Sequence, residues 1–298
     1  MARKPSAVTG ARIVGEQYMR AKRRENPEGR MPLLEHLAEL RSRLLKAAIL
    51  LVLGMGVALI FSNQTLQFVM RPFCDVSING HSGCHQYGDQ LVITGVFDGF
   101  FIRVKIAFFI GLIATSPVWL YQLWAFIAPG LYSREKKWAY LFTASAVPLF
   151  VGGAYLAYLV MGRGLHYLLG LVPQNTAALP SFDTYISYFT GMLVGFGLAF
   201  ELPLVMIMLN LAGILTHERF RRWRKMLIFG VFIIAGIANP SPDPWTMLIL
   251  GGITVVLVEA AEVFVYFNDK RRARRNPSPY ANLADDEAAP LDDPEPVD

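Results

Sequence analysis

Glu201 stands inside the apolar run LVGFGLAFELPLVMIML, with Pro203 two residues further on. A carboxyl group at bilayer depth costs about 2.5–3.5 kcal/mol on insertion scales and has to face protein or water rather than lipid. Such a group can receive a polar partner, carry a proton, or clasp a neighbouring helix. A functional role outweighs the clasp, because intramembrane ionisable residues mark sites by default. Gly191 and Gly195, in GxxxG spacing, and Gly197 would let another helix approach. Pro203 lacks an N–H and frees a carbonyl one turn back. Asp243, in the turn NPSPDP, is a weaker candidate, since Pro-rich turns often carry an Asp for local hydrogen bonds. Glu259 and Glu262 are weaker still, being close enough to a boundary to reach water.

Two further carboxylates, Glu39 in LLEHLAELRSRLL and Glu135 in SREKK, sit among basic residues, with Arg41 and Arg134 beside them. Carboxylates recognise guanidinium groups well. The bland reading is an i,i+4 pair of Glu39 with Arg43, worth a few tenths of a kcal/mol, and on these residues alone it is the stronger one. Cys74 and Cys84 share a segment with His81 and His85. On an oxidising side a disulfide is the natural reading. Two free thiols are the alternative, and a metal site is the weakest, because the spacing fits no common zinc pattern. No phosphate loop, H-E-x-x-H or G-x-S-x-G occurs, which argues against ATP hydrolysis and intramembrane proteolysis.

The elements that position these residues are apolar helices. The chain is 54% hydrophobic and 17% charged over 298 residues, with a mean hydropathy of +0.38. That is too apolar for a soluble domain of this size. Its net charge of +5 is not a nucleic-acid signature, because Lys and Arg cluster at the ends of apolar runs. The expectation is an all-α, polytopic membrane protein with six transmembrane helices, near residues 44–61, 106–128, 138–161, 189–212, 226–238 and 246–267. Residues 1–30 read as a disordered basic extension without a cleavable signal peptide, 31–267 as the membrane domain, and 268–298 as a tail, first basic and then acidic and disordered.

Pro32 opens an amphipathic segment along the interface, and Pro117 kinks the second span. Residues 63–97 read as a polar loop. The last two spans are short: the 13 apolar residues 226–238 cover roughly 20 Å against a hydrocarbon core of about 30 Å. Crossing a thinned bilayer is favoured over a re-entrant hairpin. Twenty-three Lys and Arg fall in segments assigned to the inside, against Arg71 and Arg163 in the outer loops. Both termini are therefore expected in the cytoplasm.

PLLEHLAELRSRL, SPVWLYQLWAFIAPGLYSREKK and FGLAFELPL resemble, in order and spacing, the TatC family, the multispanning subunit of the twin-arginine protein translocase. The resemblance covers about residues 32–267. It implies a non-enzymatic receptor in a bacterial-type cytoplasmic membrane, exporting folded proteins on the proton motive force. No cofactor, metal or nucleic acid is implied. Its partners would be TatA/TatB-type single-span proteins, twin-arginine signal peptides and the lipid bilayer, within an oligomeric complex. Glu39 and Glu135 would belong to the signal-binding surface, and Glu201 to contacts with single-span partners. The paired cysteines are not part of the family pattern. The competing class is a proton-coupled small-solute transporter using Glu201. It predicts more polar residues within the spans and internal repeat symmetry, and neither is evident.

Overall fold

The computed structural model describes residues 33–78, 81–82, 91–93, 95–131, 136–173, 181–240 and 243–275. Helix α1 (Leu33–Ile60) contains no proline and runs unbroken from the Glu39 segment into the apolar run. The amphipathic stretch is thus the first turns of the span helix, not a separate surface element. Helix α2 (Ser62–Cys74) follows, and a two-residue antiparallel pair, β1 (Ser77–Ile78) with β2 (His81–Ser82), comes next.

Helix α2 was not legible as a helix, since its polar residues and Pro72 read as loop. The structure satisfies the proline from outside. Pro72 donates nothing to the carbonyl of Phe68, and the Tyr158 hydroxyl donates to that carbonyl at 3.4 Å. The Tyr185 hydroxyl donates to Val69 O at 2.5 Å. Val69, Pro72 and Phe73 are buried.

Helices α3 (Asp98–Ala114) and α4 (Ser116–Leu131) meet at a 61° bend. The second span is therefore a broken pair rather than one kinked helix. Pro117 removes the donor for the carbonyl of Ile113 and crowds it, so the helix ends at Thr115. The Thr115 hydroxyl donates back to Gly111 O at 2.7 Å, and Trp119 Nε1 donates to Leu112 O at 2.9 Å. The Trp119 bond supplies a donor to a carbonyl in the last turn before the break, whereas Gly111 O also accepts from Thr115 N at 2.9 Å. Helix α1 crosses α3 at paired glycines. A Cβ on Gly111 would lie 2.8 Å from Met55 N, and one on Gly54 would lie 2.7 Å from Thr115 Cγ2.

Helix α5 (Lys136–Gly170) spans 35 residues. Helices α6 (Phe182–Ala199) and α7 (Leu202–Leu211) follow, then α8 (His217–Ala238) and α9 (Pro244–Arg275). Gly213, at φ +77°, turns the chain out of α7, and Ile214 N donates to Leu209 O at 3.0 Å. Positive φ at that position favours glycine.

Helix α6 lies at the centre. Ile186, Phe189, Met192 and Phe196 are fully buried against Met161 and Ala157 of α5 and Leu250 of α9. A second cluster joins Leu120 and Trp124 of α4, Phe142 and Phe150 of α5, and Leu204 and Met208 of α7. Helix α1 leaves its apolar residues outward, for instance Leu44, Ile49, Val52 and Leu53. On a membrane protein such a face meets lipid.

Among the described residues four helical stretches are long and apolar enough to cross a membrane by themselves, 37–60, 139–170, 182–211 and 244–275, and the α3–α4 pair makes a fifth when counted as one span. Helix α8 does not meet that standard, because its first half carries Arg219, Arg221, Arg222, Arg224 and Lys225. The six-span count thus remains an expectation. The last helix is not short. At 32 residues it extends about 48 Å at 1.5 Å per residue, running unbroken through Glu259 and Glu262, because both carboxylates have basic or polar neighbours on α8. The expected loop and span limits are otherwise exceeded at both ends of α5 and at the start of α6.

Candidate functional site: carboxylates at mid-depth and at the two ends of the bundle

Pro203 sets the position of Glu201. It sits at the second residue of α7, so the helix restarts there and Glu201 becomes its N-cap. Glu201 N donates to Leu198 O at 3.1 Å, and Glu201 O accepts from Val205 N at 3.0 Å. The side chain is 8% exposed. Neither carboxyl oxygen has a hydrogen-bond partner among the described residues. A buried carboxyl without a partner is costly and marks a place that a polar group could satisfy.

The small-residue face upstream is filled from within the chain. A Cβ on Gly197 would meet the Phe150 ring at 2.7 Å, and one on Gly191 would meet Pro240 at 3.0 Å. These glycines therefore seat α5 and the α8–α9 turn, and do not form an open face for another chain. Ser116 Oγ, Trp124 Nε1 and Thr254 Oγ1 are also buried without hydrogen-bond partners among the described residues. Sequence reasoning passed over them, since a Ser, a Trp or a Thr in an apolar run carries no signal by itself.

At the end of the bundle that holds the start of α1, Arg43 Nε and Nη2 donate to Glu39 Oε1 at 2.9 and 2.6 Å. Arg43 Nη1 donates to Gln122 of α4 at 3.4 Å. The i,i+4 pair anticipated from spacing is present, and it does more than brace one helix, because it ties α1 to α4. Glu39 Oε2 makes no hydrogen bond with another described residue. Arg41 is exposed. Helix α4 ends at Leu131 and α5 begins at Lys136. Arg134 and Glu135 lie outside the described residues.

The same end carries a polar tie that the sequence did not reveal. Asp269 of α9 accepts from Asn210 Nδ2 at 2.9 Å and from His217 N at 2.7 Å. Asn268 Nδ2 donates to Asn210 Oδ1 at 2.9 Å. Arg224 pairs with Glu259 at 2.5 Å, and His217 Nδ1 lies 3.7 Å from Glu262. The hydrogen bonds that Arg224 donates to Glu259, and the negative charge of that carboxylate, hold the guanidinium above its ordinary pKa. Residues taken singly as carboxylates near a boundary thus act as ties between α8 and α9. The residues involved are far apart in the chain, which is why spacing alone missed them.

At the opposite end, Asp243 is 1% exposed and caps α9, accepting from Thr246 N at 2.8 Å and from the Thr246 hydroxyl. Asn239 Nδ2 donates to Thr246 Oγ1 at 2.9 Å. Gly164 of α5 makes room for this knot: a Cβ there would lie 2.6 Å from the Tyr188 hydroxyl and 3.1 Å from Asp243 Oδ2. Asp243 therefore does what an N-cap does. Cys74 ends α2 and is not a free thiol. Cys84 lies outside the described residues. No group of three or more His, Cys, Asp or Glu among the described residues could hold a metal ion.

A central buried helix, a pair of apolar helices meeting at a sharp bend, and a proline-set carboxylate buried inside the bundle define a polytopic helical membrane protein. Residues 35–252 match the family described as Sec-independent protein translocase protein (TatC). A TatC of Frankia casuarinae is 41% identical over 293 residues, covering 97% of this chain and 80% of that one. The TatC of Aquifex aeolicus is 35% identical over 239 residues, covering 79% and 94%. A crystal structure of a twin-arginine translocase receptor TatC in DDM aligns with a TM-score of 0.63 at 34% identity, covering 77% of this chain and 99% of that one. The chain belongs to the TatC family: it is a multi-pass inner-membrane component of the Sec-independent protein translocase, acting in protein transport.

Proposed function

We propose that this chain is the receptor subunit that binds twin-arginine signal peptides and gathers TatA/TatB-type single-span partners for export of folded proteins on the proton motive force. In this reading it has six spans and both termini in the cytoplasm, works within an oligomeric complex, and needs no cofactor. The observation that carries the reading is Glu39. Its carboxylate already holds one guanidinium through Oε1, while Oε2 makes no hydrogen bond with another described residue. That is a charge-assisted acceptor set for a second guanidinium.

Glu135, with Arg134 beside it, completes the surface from the segment between α4 and α5. Arg41 and Arg134 repel ligands that present a single misplaced cation. A photo-crosslinker in place of exposed Leu40 tests the surface. Capture of a twin-arginine precursor, lost when its arginine pair is replaced by glutamines, supports it; equal capture of both precursors contradicts it.

Glu201 serves a second partner. Its carboxyl, without a hydrogen-bond partner among the described residues and placed where Pro203 restarts the helix, suits a polar group on a single-span helix. The solute-transporter reading gains nothing from the comparisons, and the polar ties described above sit at the ends of the bundle rather than along a path through it.

A further inference from the structure

Arg163, which the structure places on α5, lines one groove, and Arg71 of α2 stands beside it. Between α2, the last turns of α5 and the first turns of α9 lies a cavity of about 920 Å³. Its apolar lining comes from Pro72 and Val76 on one side and from Leu159 and Ile249 on the other. Arg163 and His166, three residues apart on α5 and therefore on one face, form its rim. Both are exposed, and neither makes a hydrogen bond or ion pair with another described residue. Arg71 is not itself a lining residue but stands beside the groove: it is exposed, it adjoins Pro72 of the lining, and its charge, like that of the lining residue Asp75, acts on Tyr158, which also lines the groove. Two guanidinium groups against one carboxylate leave the rim net positive.

Tyr167 and Trp245 complete the lining, and Trp245 is 59% exposed. Tyr and Trp mark the membrane–water boundary, where a ring can lie in the apolar zone and its polar atom in the headgroups. Leu159, one turn before Arg163, is 57% exposed on the same helix. A basic rim over an exposed apolar wall, at belt depth, suits a ligand with an anionic head and an apolar body. A soluble anion would leave the wall unused, and a polar peptide would bury it poorly.

We propose that this groove seats one anionic phospholipid of the outer leaflet, with its phosphodiester on Arg163 and Arg71 and its acyl chains along Leu159 and Ile249. His166 adds a further donor to the phosphate. Bound there, the lipid lies across α2, α5 and α9 and adds to the contact that Tyr158 of α5 already makes with Phe68 of α2. Assigning the outer leaflet rests on the orientation proposed above, so the test includes an arm for it.

The full-length protein is purified into mixed micelles with phosphatidylglycerol or with phosphatidylcholine, and retained lipid is counted by native mass spectrometry. Phosphatidylglycerol should be retained preferentially. The double variant Arg71→Gln/Arg163→Gln should lower its retention about five- to tenfold. Arg163→Lys should keep most of it, and Arg275→Gln, at the far end of α9, should leave it unchanged. Equal retention by the double variant and the parent overturns the proposal. So does displacement of the lipid by inorganic phosphate at matched phosphate concentration, which would make the ligand a soluble anion. Maleimide should label Arg163→Cys from outside intact spheroplasts. Labelling only after lysis, with phosphatidylglycerol retention intact, overturns the leaflet and the orientation but not the groove's charge chemistry.

Discussion

Arg43 holds Glu39 with two of its nitrogens on a single carboxylate oxygen, and reaches Gln122 on α4 with the third. The pair belongs to one helix, yet its consequence is interhelical: it fixes where the Glu39 carboxylate stands relative to α4. Arg43→Gln removes a part-exposed pair worth about 0.2–1 kcal/mol. Precursor affinity should therefore fall only about 1.5- to 5-fold, by loosening the carboxylate rather than deleting it. A titration of labelled precursor reads this directly. A loss as large as that from Glu39→Gln would mean that Arg43 itself contacts the ligand.

Glu201→Gln keeps size and hydrogen-bonding capacity, so assembly with single-span partners and much of the export should persist. Glu201→Ala should reduce site-specific crosslinks from α7 to a partner helix while leaving precursor binding near the parent level, because Glu39 lies at one end of the bundle. Unchanged crosslinks and export in the alanine variant would reduce Glu201 to an internal clasp.

Asp243→Ala removes the N-cap of α9 and should cost about 0.5–2 kcal/mol. Gly164→Ala drives a methyl group into the Tyr188 hydroxyl and Thr246, and overpacking of that kind costs about 1–3 kcal/mol. Thermal unfolding in detergent should show both variants melting below the parent. Their effects should fall short of additive when combined, since they act on one knot. An unchanged melting curve for Gly164→Ala would contradict the close approach.

For the outer segment, joining Cys74 to Cys84 closes a loop of about ten residues, which chain-entropy arguments value near 2–3 kcal/mol less strain. Alkylation of the oxidised protein should modify neither cysteine until reductant is added. Ready labelling of both without reductant would remove the bridge.

The apolar runs were enough to place α1, α5, α6 and α9, because runs of that length and composition have one stable form in lipid. They could not show where helices restart. Pro117 announced a kink, but the 61° bend at Thr115 comes with the Trp119 indole bonding the Leu112 carbonyl across the break, which no local pattern shows. Helix α2 was hidden for the same reason: Pro72 argues against helix locally, and the Tyr158 and Tyr185 hydroxyls that support it come from α5 and α6. Glu201 was visible because a charge among leucines is conspicuous. The Asn210–Asp269–His217 tie was not, since its members are ordinary polar residues until the fold brings them together. Gly191, Gly195 and Gly197 were read as a face for another helix, but the groups packed on Gly191 and Gly197 are Pro240 and Phe150 of the same chain.

The central claim is that Glu39 and Glu135 receive the arginine pair of a signal peptide. The most direct measurement is equilibrium binding of a labelled twin-arginine precursor to the full chain in lipid nanodiscs, comparing the parent with Glu39→Gln and Glu135→Gln. Losing one partner of a charge-assisted pair should cost about 1.5–3 kcal/mol, so each variant should bind roughly 10- to 150-fold more weakly. A precursor whose arginine pair is replaced by glutamines should bind the parent and both variants alike. Unchanged affinity of the twin-arginine precursor for both variants would contradict the account.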